Sequence, residues 1–65
     1  MKKLSKINQN ILQILNKYND WMTIEDICEQ TKLTIANAKG HIVELQARKL
    51  VISKIENGIR YYKEN

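Results

Sequence analysis

The 65-residue sequence has no proline, no phenylalanine, one cysteine, one tryptophan, one histidine and two glycines. A lone cysteine, Cys28, excludes an intramolecular disulfide, and a reducing, cytoplasmic compartment is the expectation. Cys28 and His41 fall on different predicted helices with no third ligand in view, so neither a metal site nor a cofactor is expected. No glycine-rich phosphate loop is present, and the acids form no pair in a plausible cleft, so nothing points to an enzyme or a small-molecule substrate. A chain of this length has no room for a cofactor pocket beside a catalytic apparatus. No apolar run approaches the roughly 20 residues that cross a membrane. The Met1-Lys-Lys start is followed by Asn, Gln and Lys mixed with apolar residues, unlike a signal peptide. Without a linker, repeat or low-complexity stretch, residues 1–65 read as a single domain.

What is present is a basic balance. The formal charge is +4 and the isoelectric point about 9.4, which favours an anionic partner mildly. Ile, Lys and Asn dominate the composition and use A/T-rich codons, which points to an A/T-rich genome, cellular or viral.

Apolar residues at helical spacing predict a first helix from Ser5 to Tyr18. Its stripe is Ile7, Ile11, Leu12, Ile14, Leu15 and Tyr18, with Ser5 as N-cap and Asn19-Asp20 as the end. Trp21-Met22 is a short apolar connector, able to form a brief strand over Trp21–Thr23, with Trp21 expected in the core. Thr23 opens a second helix. Asp26 three residues on makes a weak capping box, Glu25 and Asp26 suit the positive end of the helix, and Met22 acts as a hydrophobic staple. Ile24, Ile27 and Cys28 face inward, Cys28 as a small core residue. Thr31-Lys32-Leu33 is the turn, with Leu33 plugging the space between helices. Thr34 caps a third helix in which Ala38, Ile42, Leu45 and Lys49 share the inward side, with His41 at the core edge.

Leu50 to Ile55 is rich in β-branched residues and reads as a strand, and Ile59 to Lys63 as its return. Asn57-Gly58 between them is a hairpin signal, because both residues accept positive φ. A two-residue turn would pair Lys54 with Tyr61. A three-residue loop with a bulge would set Ile52 opposite Tyr62 and Lys54 opposite Arg60. The second register is the expected one, since it places an apolar pair near the core and a basic pair near the tip. Two cations facing each other are unfavourable unless a ligand anion relieves them.

The order helix, helix, turn, helix, hairpin resembles the winged helix-turn-helix family over nearly the whole chain. Thr23-Ile-Glu-Asp-Ile-Cys looks like the opening of that family's second helix. Leu33-Thr34 with Ala38, Ile42 and Leu45 matches its turn, cap and inward positions. Leu50-Val51 enters a wing and Gly58-Ile-Arg-Tyr-Tyr its return strand. The scale is similar to small regulators of fimbrial operons and to the DNA-binding cores of the MarR and ArsR groups. The expected fold is therefore mainly α with a small β-hairpin: three helices plus a two-stranded wing. Two positions depart from the pattern. Lys32 and Lys49 stand where glycine is common, and a left-handed lysine costs roughly 1 kcal/mol, so the helix ends are expected to differ there.

The resemblance implies a sequence-specific binder of double-stranded DNA, a transcriptional regulator with the third helix in the major groove and the wing on the backbone. The outward side of that helix is Ala36, Gly40, Val43 and Ala47, small and nearly apolar. Ile35, Ala36 and Val43 would touch thymine methyls, and Asn37 or Lys39 would supply hydrogen bonds to bases. Thr34 and Gly40 belong to the same approach. Lys39 and Arg48 flank the face within reach of phosphates. Lys54, Asn57 and Arg60 supply the wing. The rival reading of the smooth strip is contact with protein, a second copy or another chain. One small unit makes few base contacts, so a homodimer or a protein partner is expected, with the first helix as the dimer element. Lys2, Lys3 and Lys6 read as solvated charge.

Overall fold

The computed structural model describes residues 4–65, so the expectation for Lys2 and Lys3 lies outside the described residues. In order the elements are α1 (Lys6–Tyr18), β1 (Met22–Thr23), α2 (Ile24–Thr31), α3 (Ile35–Ala47), β2 (Val51–Glu56) and β3 (Ile59–Glu64). The three strands form one antiparallel sheet in the order β1-β3-β2. The brief third strand thus forms at Met22–Thr23, with Trp21 just outside it.

Each helix begins where a hydroxyl side chain satisfies the first free amides. Ser5 Oγ accepts from Asn8 N at 3.1 Å and Thr34 Oγ1 from Asn37 N at 3.2 Å. At Thr23 the capping box closes in both directions: Asp26 N donates to Thr23 Oγ1 at 3.2 Å, and Thr23 N donates to Asp26 Oδ2 at 3.3 Å. All three helices end on a left-handed residue without using glycine: Asn19, Lys32 and Lys49 have φ of 49°, 64° and 61°. After α3, Lys49 N donates to Gln46 O at 2.9 Å and Leu50 N to Leu45 O at 3.0 Å. This is the paired bonding of a Schellman turn. The expectation that lysine would shift these helix ends is therefore wrong, because the bonds gained hold the lysines in the strained conformation. Lys49 also leaves the inward row, since the helix stops at Ala47. The corner takes Leu50 as well, so β2 starts at Val51.

Every element contributes to the core. Ile11 and Leu15 come from α1, Met22 from β1, Ile27 from α2, Ile42 and Leu45 from α3, Val51 from β2 and Tyr62 from β3. A fully buried aliphatic side chain of this kind contributes about 1.5–3 kcal/mol. Cys28 is half-buried beside it rather than inside. The α1 stripe is rotated from the expected one. Asn8 is fully buried in line with Ile11 and Leu15, whereas Ile7 and Tyr18 are 38% and 48% exposed at the edge.

Two further expectations are corrected by the sheet. The hairpin uses the two-residue turn: Asn57 and Gly58 have φ of 53° and 77°, and Lys54 pairs with Tyr61. Both central residues are positive, as a type I′ turn requires, so no bulge residue is needed. Alternation then puts Val51 and Tyr62 on the face toward the helices and Ile52, Lys54 and Tyr61 on the other. The bulged register would have turned one strand over and taken Val51 or Tyr62 out of the core. Trp21 is half-buried on that outer face, not in the core. Lys54 Nζ lies 4.6 Å from its ring centroid and Lys63 Nζ 5.8 Å. A ring covered by two ammonium groups needs solvent nearby, which a core position cannot provide.

Candidate nucleic-acid interface

The third helix presents the strip predicted for it. Ala36, Gly40, Val43 and Ala47 are all exposed, and Val43 is 63% accessible. A Cβ at Gly40 would meet no atom of the described residues within 4 Å, so packing among them does not require the glycine. The two flanks of the strip differ in chemistry.

On one flank, α3 meets α2 and the wing across an open groove of about 290 Å³. Lys39 of α3 and Arg60 of β3 line it together with Ile24 and Glu25 of α2, Gly58, Ile59 and Tyr62. Arg60 is opposite Ile55 in the sheet and shares the helix-facing side with Tyr62. Both cations are exposed, where a charge keeps its hydration and remains available to an anion.

The other flank meets the start of α1 through a hydrogen-bonded chain. Asn8 Nδ2 donates to Glu44 Oε1, and Asn8 Oδ1 lies 2.9 Å from His41 Nδ1. A carboxylate only accepts, so Glu44 fixes which way the Asn8 amide points. The amide oxygen then faces His41, so Nδ1 of the imidazole carries the proton. A buried amide is satisfied at the cost of fixing α1 against α3, which is how the strip is held in place. Sequence reading missed Asn8 and Glu44, although Asn8 lies three residues before Ile11 and seven before Leu15, on the inward row. Among the described residues no buried side-chain nitrogen or oxygen lacks a partner.

The remaining predicted site residues are distributed as follows. Thr34 is engaged as the cap of α3, Ile35 and Asn37 are exposed in its first turn, and Asn57 forms the wing tip. Lys54 is not beside Arg60. It sits on the outer sheet face, over Trp21 and Tyr61 and 2.9 Å from Glu56 Oε2. Arg48 caps the C-terminus of α3. The Cys28 thiol is pushed above its ordinary range by burial first and by the nearby Glu25 carboxylate second. Among the described residues no group of three His, Cys, Asp or Glu side chains is placed to share a metal ion, and no helix is long and apolar enough to cross a membrane.

Comparison with solved structures decides the architecture. Over 98% of its length the chain superposes on ZitR of Lactococcus lactis, described as a zinc-responsive MarR family member, with a TM-score of 0.85 and 24% identity. The chain has the winged-helix fold. A cysteine-to-serine mutant of ZitR, solved in complex with DNA, matches over 97% of this chain with a TM-score of 0.85 and 21% identity. This winged-helix chain spans less than half the length of the solved chains it matches, 45% and 44%. No protein-family model and no curated protein matches it.

Proposed function

We propose that this winged-helix chain binds double-stranded DNA in a sequence-specific way, as a cytoplasmic transcriptional regulator acting as a homodimer or with a protein partner. The observation that carries the reading is the convergence on one side of the molecule of an exposed, slender α3 face and two cations, Lys39 and Arg60, from different elements lining one groove. The likeness in fold to a protein solved with DNA supports it. In this reading Ala36, Gly40 and Val43 enter the major groove close to the base edges. Ile35 and Val43 contact thymine methyls, and Asn37 offers an amide to a base. Lys39 and Arg60 grip phosphates on the wing side. The exposed Ile7 and Tyr18 edge of α1 supplies the contact between copies.

The test is selection of bound duplexes from a random pool, followed by a salt titration of the enriched sequence. Enrichment of a motif, with log affinity falling against log salt at about −0.9 per phosphate contacted, is the expected result. No enrichment, or an affinity indifferent to salt, refutes the reading. A second reading, a protein-binding module using the same strip, is favoured by the open space at Gly40 and the bare Val43. Gly40→Lys separates them. Unchanged DNA affinity with loss of self-association or partner binding would establish the second reading.

A further inference from the structure

The groove between α3 and the wing holds an acid as well as its two cations. Glu25, in the first turn of α2, lines the same groove as Lys39 and Arg60. As a helix-start acid it is already accounted for by the dipole, but the dipole does not require it to face the wing. Asp26, its neighbour, has both its roles within the chain, because it closes the capping box with Thr23. Glu25 has no hydrogen bond or ion pair of this kind among the described residues. Lys54 and Glu56 form an ion pair elsewhere, on the outer sheet face. The Glu25 charge is felt locally, since it helps raise the Cys28 thiol.

We infer that Glu25 is a brake on phosphate binding: its carboxylate opposes any phosphate drawn between Lys39 and Arg60 and so limits affinity for duplex DNA of every sequence. The inference rests on the DNA-binding reading above. Its physical content is a like-charge repulsion across a solvent-filled groove. Such a repulsion is modest, because water screens it, and it fades as added salt shortens the Debye length. It acts on the sequence-independent part of binding, which supplies nearly all affinity for arbitrary DNA. The consequence is weaker binding to matched and unmatched sites by the same factor, with their ratio unchanged.

Removing the charge should therefore tighten binding, a direction that damage to the fold cannot mimic. Glu25→Gln and Glu25→Ala are expected to bind a random-sequence duplex roughly threefold more tightly than the wild type at about 50 mM salt. The gain should shrink toward unity by about 300 mM. Glu29→Gln, which makes the same change in net charge from a different cavity beside Tyr18 and Trp21, is expected to show no comparable gain. Anisotropy titrations of a labelled duplex read all three variants, with urea midpoints confirming that each is folded. An equal gain from Glu29→Gln, or no gain from either Glu25 variant while the wild type binds duplex, overturns the brake and leaves the DNA-binding reading standing. A wild type that binds no duplex removes both together.

Discussion

Lys32 and Lys49 give the most direct test of how this chain builds its corners. Each sits just past a helix in the left-handed region, at φ 64° and 61°. An L-residue there is strained by about 1–2 kcal/mol because its Cβ crowds the following carbonyl. Glycine removes the strain and keeps every corner bond, since Lys32 N to Cys28 O, Lys49 N to Gln46 O and Leu50 N to Leu45 O are all backbone bonds. The side chains are exposed, so little packing is lost. Against this, glycine loosens the unfolded chain by about 0.4–1 kcal/mol. The net expectation is a stabilisation of roughly 0.5–1 kcal/mol for Lys32→Gly and for Lys49→Gly. The two corners share none of these bonds, so the effects should add. For a domain of this size each 1 kcal/mol raises the melting temperature by about 4–8 °C. Urea unfolding, followed by Trp21 emission and by far-ultraviolet circular dichroism, measures the change. Lys39→Gly is the control, because glycine inside α3 should destabilise by somewhat under 1 kcal/mol. A fall in the midpoint for either corner variant, at unchanged urea dependence, would refute the account of the corners.

Four other outcomes follow from particular contacts. Glu44→Leu should cost about 1–3 kcal/mol by orphaning the buried Asn8 amide, and adding Asn8→Leu should recover most of it in the same urea assay. Trp21→Leu should cost about 1 kcal/mol, the scale of a lost cation–π contact, rather than the roughly 3–5 kcal/mol of a truncated core aromatic. Lys54→Met should leave the salt slope of duplex binding unchanged, because Lys54 is held over Trp21, whereas Arg60→Met should reduce it by about 0.9. Gly40→Ala should raise stability by about 1 kcal/mol, since the added methyl meets nothing, yet weaken duplex binding measured by anisotropy.

The three helices and the hairpin were legible because their signals are local. Ser5, Thr23 and Thr34 each sit just before an apolar stripe, and Asn57-Gly58 is a turn in its own right. Trp21, Asn8 and the register were not legible, for a common reason: each depends on what another element brings. Trp21 looks like core until the register delivers Lys54 and Lys63 to its ring. Asn8 looks like surface until α3 brings Glu44 and His41. The bulged register looks favourable because a basic pair at the wing tip suggests a ligand. In the folded chain the requirement to bury Val51 and Tyr62 outweighs that preference, and it separates Lys54 from Arg60 onto opposite faces. The groove shared by Lys39, Arg60 and Glu25 joins α2, α3 and β3 and has no sequence signature.

Gly40 is the residue at which folding and function part company. In mid-helix it costs about 1 kcal/mol against alanine, a large fraction for a domain whose total stability is a few kcal/mol. Elsewhere in this chain the cost of burying a polar group is matched by a visible return, since the buried Asn8 gains two partners. At Gly40 no return is found among the described residues, because a Cβ built there would meet none of their atoms within 4 Å. In the DNA-binding reading proposed above, the compensation comes from a duplex that approaches α3 closely enough for a methyl group to matter. Ala36, Val43 and Ala47 keep the same side of the helix low, so the approach is along a strip and not at a point. Lys39 stands on the flank of that strip facing Arg60, so the approaching body meets positive charge there. A slender face bordered by cations on the wing side suits the groove of a polyanion better than a neutral helix. That physical preference, independent of any likeness in fold, is what Gly40→Ala with paired stability and binding measurements puts at risk. Greater stability with unaltered binding would leave the glycine unexplained and the strip without its duplex.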